Sequence, residues 1–132
     1  MSTYLSMWGC ADMAVFASRM VQVQNVGPTL VNVSITGSGY EFFSFVNIYG
    51  TTYTSAASGI EVLTGDVITF GVAGANSGSL LGKVTIDGEI VASSSNGDQS
   101  TYEWTVPNGI TQVTIALTYN SIGYGTITVT TL

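Results

Sequence analysis

The stretch STYEWTVPNGITQVTIALTY, residues 100–119, reads as two β-strands joined by a turn. Tyr102, Trp104 and Val106 alternate with Glu103 and Thr105, and Pro107-Asn108-Gly109 ends the run. Val113, Ile115, Leu117 and Tyr119 then alternate with Thr114, Ala116 and Thr118. Successive side chains of a strand point to opposite faces, so this period of two puts the large residues on one face. Tyr102, Trp104, Val113, Ile115, Leu117 and Tyr119 are expected inside, with Glu103, Thr114 and Thr118 outside. A slip of one residue would invert every one of these positions.

The same grammar extends in both directions from Gly59 to Leu132. Ile60 and Val62 flank Glu61, and Thr64-Gly65-Asp66 turns the chain into Ile68, Phe70 and Val72 on one face. Gly74–Gly82 is a loop by composition. Asp87-Gly88, between Val84-Thr85-Ile86 and Glu89-Ile90-Val91, supplies the two positive-φ positions of a type I′ hairpin turn. Ser93–Ser100 reads as another polar loop, and Thr126–Thr130 as a last alternating strand. Seven short strands with closely spaced turns, and no competing helical period, predict an all-β sandwich.

The arrangement IEVLTGDVITFGV, GKVTIDGEIVA, STYEWTVPNGITQVTIALTY and GTITVTT resembles the disulfide-free immunoglobulin-like modules of bacterial surface proteins and phage virion proteins. In that comparison Gly65-Asp66 opens the second strand, Trp104-Thr-Val-Pro closes the fifth, and Thr126–Thr131 is the last. The resemblance covers residues 58–132 and is specific for a fold, not a ligand. It implies an immunoglobulin-like seven-stranded antiparallel sandwich. The inter-sheet cysteines of antibody domains have no counterpart here. Modules of this kind decorate phage heads, fibres or tails.

Residues 1–57 read as a separate, mostly β docking or assembly region preceding the sandwich of 58–132. Val21 and Val23 alternate with Gln22 and Gln24, and Val31, Val33 and Ile35 with Asn32, Ser34 and Thr36. Asp12–Met20 fits a short helix or a continued β pattern. Tyr40–Tyr49 is apolar on both faces, with Phe42, Val46 and Ile48 on one and Phe43, Phe45 and Tyr49 on the other. A strand of that kind is central in a packed structure or covered by a partner. Thr51–Ser58 (TTYTSAAS), small and polar, is the expected linker.

Composition narrows the chemistry further. The 132 residues carry two cations, Arg19 and Lys83, eight acids and no histidine, for a net charge of −6. Without histidine there is no imidazole base and no Ser-His or Cys-His pair. Two cations cannot neutralise a phosphate backbone, and the negative charge disfavours anionic membranes. Charged residues make up 8% where about 25% is usual, yet 45% are hydrophobic, which excludes a disordered chain. The surface is therefore hydroxyls and amides, which suits a subunit covered by neighbours. Cys10 stands alone, so no intramolecular disulfide is possible. The start MSTYLSMWG has no basic run and no long apolar stretch follows, so no signal peptide, membrane span or pilin stalk is expected.

Other motifs have plainer readings. Asp87, Glu89 and Asp98 offer oxygen ligands of the kind calcium takes, but Asp-Gly and Asn-Gly are turn residues first. Gly37-Ser38-Gly39 precedes no helix and is not a phosphate loop. No metal, cofactor or catalytic residue is expected. Trp8, Phe42, Phe43, Phe45, Val46 and Ile48 are the expected interface residues. Tyr49, Tyr53 and Tyr124, at ends and turns, are the expected glycan contacts, since such rings offer an apolar face with a polar edge. The expected role is non-enzymatic: a phage or virus virion accessory subunit docked on other virion proteins or on copies of itself. The alternative is a carbohydrate-binding or adhesin module of a cell surface, with host-surface glycans as partners.

Overall fold

A computed structural model describes residues 27–40, 43–74, 81–95, 98–120 and 124–132. These residues form ten strands and no helix. They are β1 (Leu30–Ser38), β2 (Ser44–Ile48), β3 (Thr51–Tyr53), β4 (Ser55–Leu63) and β5 (Val67–Ala73), then β6 (Gly82–Ile86), β7 (Glu89–Ser94), β8 (Gln99–Thr105), β9 (Gln112–Tyr119) and β10 (Gly125–Thr131). One sheet has the order β4-β1-β9-β10-β6-β7 and the other β3-β2-β5-β8. The protein is thus all-β with two sheets, as the alternation requires.

The register read from residues 100–119 holds across the core. Val113, Ile115 and Leu117 are buried, as is Trp104, with Tyr102 half-buried against them, while Glu103, Thr114 and Thr118 are exposed. Val31, Val33 and Ile35 from β1 and Ile127 and Val129 from β10 continue the layer of β9; Val46, Ile48, Ile68, Phe70 and Val72 face it from the smaller sheet, together with Trp104 of β8. Phe70 and Trp104 meet at 6.1 Å between ring centres. Asp87 and Gly88 both have positive φ, the turn their sequence predicts. The seven strands expected after Gly59 are β4 to β10.

The expected division at residues 57 and 58 does not fit the described residues. That boundary falls inside β4, and β1 lies between β4 and β9 in the larger sheet. β1 runs antiparallel to β4 but parallel to β9, and β10 runs parallel to β6, so the expected antiparallel pairing does not hold throughout, even within residues 58–132. One apolar core therefore takes residues from both sides of the expected boundary. The expected linker Thr51–Ser58 is β3 and the first half of β4, an edge strand of each sheet, with Thr54 alone between them. Its small polar side chains reflect exposure at an edge, where nothing large is needed to fill a core. The polar loop expected over Ser93–Ser100 is shorter, since β7 runs to Ser94 and β8 starts at Gln99. Val21–Gln24 and Asp12–Met20 lie outside the described residues.

Glycine is required where neighbours come close. Gly37 has φ +82°, and a Cβ there would sit 2.2 Å from the Leu117 carbonyl oxygen of β9. Only glycine tolerates both the left-handed backbone and that approach. Gly71 leaves the room that the Phe45 ring occupies; a Cβ there would lie 2.1 Å from it.

Strand directions give the sandwich two distinct ends. The first end holds Gly27–Leu30, the Tyr49-Gly50 turn, Thr64–Asp66, Asp87-Gly88, Val106–Thr111 and Leu132. The second holds Gly39–Phe43, Thr54, Gly74, Ser95 and Asn120. The chain preceding Gly27 therefore joins the sandwich at the first end.

Candidate binding surfaces

Among the described residues the buried polar side chains are Ser44, Thr64 and Ser94. Ser44 Oγ donates to the Thr118 carbonyl at 2.7 Å and ties β2 to β9 across the two sheets. Thr64 Oγ1 accepts from the Thr29 amide at 3.0 Å, and Ser94 Oγ donates to the Asp98 carbonyl. Each buried polar side chain among the described residues thus has a partner. A half-satisfied interior, the usual mark of a missing ligand, is not found there.

Two of the three exposed aromatic residues among those described, Tyr40 and Tyr119, lie at the second end with the half-buried Phe43. Tyr40 and Phe43 lie 5.2 Å apart between ring centres, Tyr40 and Tyr119 5.9 Å, and Phe43 and Tyr119 6.3 Å. Three nearly equal separations make a triangle and exclude a stacked column, in which the outer pair would be far apart. Tyr40 is 46% and Tyr119 45% exposed. Tyr119 was expected in the core, and its phase along β9 is the inward one. It is exposed because β9 outruns the cover of the opposite sheet, where β2 begins only at Ser44. Nothing in the alternation marks where a strand leaves the core, so the sequence pattern missed it.

The expected glycan contacts do not form one surface. Tyr49 is exposed at the first end, in the turn after β2 with φ +53°. Tyr53 is half-buried on β3, packed against the core. Tyr124 is half-buried at the second end, just before β10, where its carbonyl accepts from the Asn120 amide. Of the three, only Tyr124 shares an end with the aromatic triangle.

The expected interface residues also separate. Val46 and Ile48 are buried in the chain's own core, so they are not available to a partner. They point inward because β2 pairs Val46 with Phe70 of β5, which faces the core, and Ile48 is in the same phase. Phe45 is half-buried on the outer face over Gly71, and Phe43 is half-buried in the aromatic triangle. Trp8 and Phe42 lie outside the described residues.

Two acids are held by short-range contacts at the first end. The Tyr49 hydroxyl donates to Asp66 Oδ2, which also accepts from the Leu63 amide at 2.9 Å. The Tyr49 bond, then that amide, hold the Asp66 carboxyl below its ordinary value, and the same bond raises the Tyr49 phenol. Asp87 accepts from the Thr131 hydroxyl at 2.7 Å and from the Thr131 amide at 2.8 Å, which lowers its carboxyl too. Asp87 thereby clasps the end of β10, and both its oxygens are engaged. Among the described residues no three acids or cysteines cluster as metal ligands.

Two shallow hollows mark the surface. One, of ≈ 380 Å³, is lined at the first end by Gly27, Pro28, Thr64, Gly65, Val106 and Pro107 among others. The second, of ≈ 410 Å³, lies between Ser34–Thr36 and Ala56–Ser58. Neither carries a titratable side chain; their polar side chains are hydroxyls and, in the first, the Asn108 amide. No helix among the described residues is long and apolar enough to cross a membrane. No protein-family model, curated protein or solved structure matches this chain.

Proposed function

We propose that this protein is a non-enzymatic structural subunit of a phage or virus-like particle, assembled in the host cytoplasm and carried in the virion. It docks on other virion proteins or on copies of itself. The supporting observation is that residues 30–131 form two sheets around one core, while the chain preceding Gly27 adds a segment rich in Met, Ala and Val with Trp8 and Phe16. An apolar segment attached at one end of a completed sandwich suits a docking element. The sandwich itself is read as an immunoglobulin-like module that includes β1, because β4 joins β9 only through it. Mass spectrometry of purified particles tests the assignment: the chain is expected at a fixed copy number per particle. Its recovery only in the free soluble fraction overturns the reading.

A second reading, a carbohydrate-binding or adhesin module of a cell surface, is favoured by the aromatic triangle of Tyr40, Phe43 and Tyr119. Those rings sit at the end opposite Gly27, where an anchored module would meet a host glycan. Titration with neutral oligosaccharides, followed by the ring resonances of Tyr40 and Tyr119, checks it; unchanged resonances count against it.

A further inference from the structure

We propose that the outer face of the six-stranded sheet is a self-association surface, on which two copies pack face to face about a twofold axis above Ala116. The inference rests on the reading of this protein as an assembly subunit and names the partner and the surface. Three independent features of that face support it: its charge, its exposed apolar residues and its area.

Among the described residues, Glu61 and Lys83 are the two charges that point out from this face. Glu61 pairs with Asn32, which pairs with Gln112, so Glu61 is level with Gln112 and two strands from β9. Lys83 pairs with Thr126, which pairs with Thr118, so Lys83 is level with Thr118 and two strands from β9 on the other side. The point midway is on β9 at Ile115, flanked by the outward Thr114 and Ala116. From there each charge is about 10 Å along the strands and about 10 Å across them, in opposite senses. A twofold axis lying in the face, perpendicular to that diagonal, places Glu61 of each copy over Lys83 of the other. The dimer then holds two such pairs, and no charge is left opposite its like.

The same axis accounts for exposed apolar residues that the charges did not define. Such an axis runs at about 45° to the strands and exchanges displacement along them for displacement across them. Leu30, 61% exposed, is about 17 Å along and one strand, about 5 Å, across from the midpoint. It is carried to about 17 Å across and about 5 Å along. Ile90, 57% exposed and level with Ala116 through Thr85 and Thr128, stands about 14 Å across and about 3 Å along. Leu30 of one copy therefore covers Ile90 of the other.

Packing and size agree with this arrangement. The two sets of strands cross near a right angle, one of the two regular ways in which sheets pack. The centre of the face carries small side chains, Ser34, Thr114, Ala116 and Thr128, so the sheets can approach to about 10 Å. Six strands about 24 Å long cover roughly 600 Å² per copy, or roughly 1,200 Å² in all, the lower end of specific interfaces.

Sedimentation equilibrium of the full-length protein, from about 1 to about 100 μM, tests the inference; these concentrations bracket a dissociation constant of about 10 μM. A dimer is expected. Lys83→Glu and Glu61→Lys each bring like charges together at both contacts and raise the dissociation constant about tenfold. The double variant E61K/K83E exchanges the charges and restores the parent value. Ala116→Arg, on the axis, leaves a monomer with an unchanged thermal midpoint. A parent protein that stays monomeric, charge variants that leave the dimer as tight as before, or a double variant that fails to recover each overturns the inference. A monomer that still purifies with particles overturns it while leaving the docking reading in place.

Discussion

β9 and the segment Thr51–Ser58 are both β-structure, yet they look unlike each other because they occupy opposite positions in the sheets. β9 is flanked by β1 and β10 and must fill a core on one face, so Val113, Ile115 and Leu117 are large. Thr51–Ser58 supplies β3 and the start of β4, each paired on one side only, and its side chains are small and largely exposed. The difference teaches that strand composition reports burial, whereas strand formation depends on a neighbour's backbone. An edge strand can therefore carry the composition of a linker.

The largest expected effect lies at the centre. Leu117→Ala removes a side chain 1% exposed and should cost about 2–5 kcal/mol in urea unfolding. A cost near zero would mean that β9 does not hold the core. Next is Gly37→Ala, where β1 passes β9: the left-handed backbone and the Leu117 carbonyl together should cost about 1–3 kcal/mol. If it proves neutral, the parallel β1–β9 pairing is wrong.

Acid should act on the first end before the core. The carboxyls of Asp66 and Asp87 are both held below their ordinary value, so folding favours their ionised forms. Their contribution is present above the ordinary carboxylate pKa of about 3.9 and is lost as pH falls through the lower folded values. Thermal midpoints measured across that range should decline less steeply for Asp87→Asn than for the parent. An unchanged slope would show that the Thr131 clasp is not formed in solution. The smallest effect belongs to the edge: Thr52→Lys on β3 should change stability by no more than about 0.5 kcal/mol. A loss of several kcal/mol would mark β3 as covered.

Tyr119 and Val46 show how far the candidate sites were legible. Periodicity placed Tyr119 in the inward phase of β9 but could not show that the strand continues past the cover of β2. Val46 and Ile48 were apolar on a strand apolar on both faces, which left core and contact equally open. Only the register with β5, in which Val46 pairs with the buried Phe70, assigns them to the core. The Phe45 ring over Gly71 has a signal in the sequence, a glycine inside an alternating strand, but its partner could be identified only from the register.

The sequence by itself determined the β class, the phase of the central strands, the Asp87-Gly88 turn and the scarcity of charge. These follow from side-chain size, φ preference and ionisation, which are properties of residues near one another in the chain. The tertiary structure decided that residues 30–53 belong to the same sandwich, that β1 enters between β4 and β9, and that the aromatic triangle lies opposite Gly27. It also decided that Glu61 and Lys83 stand across one face from each other. Such facts depend on hydrogen bonds between strands far apart in sequence, and local alternation carries no record of which strands will meet.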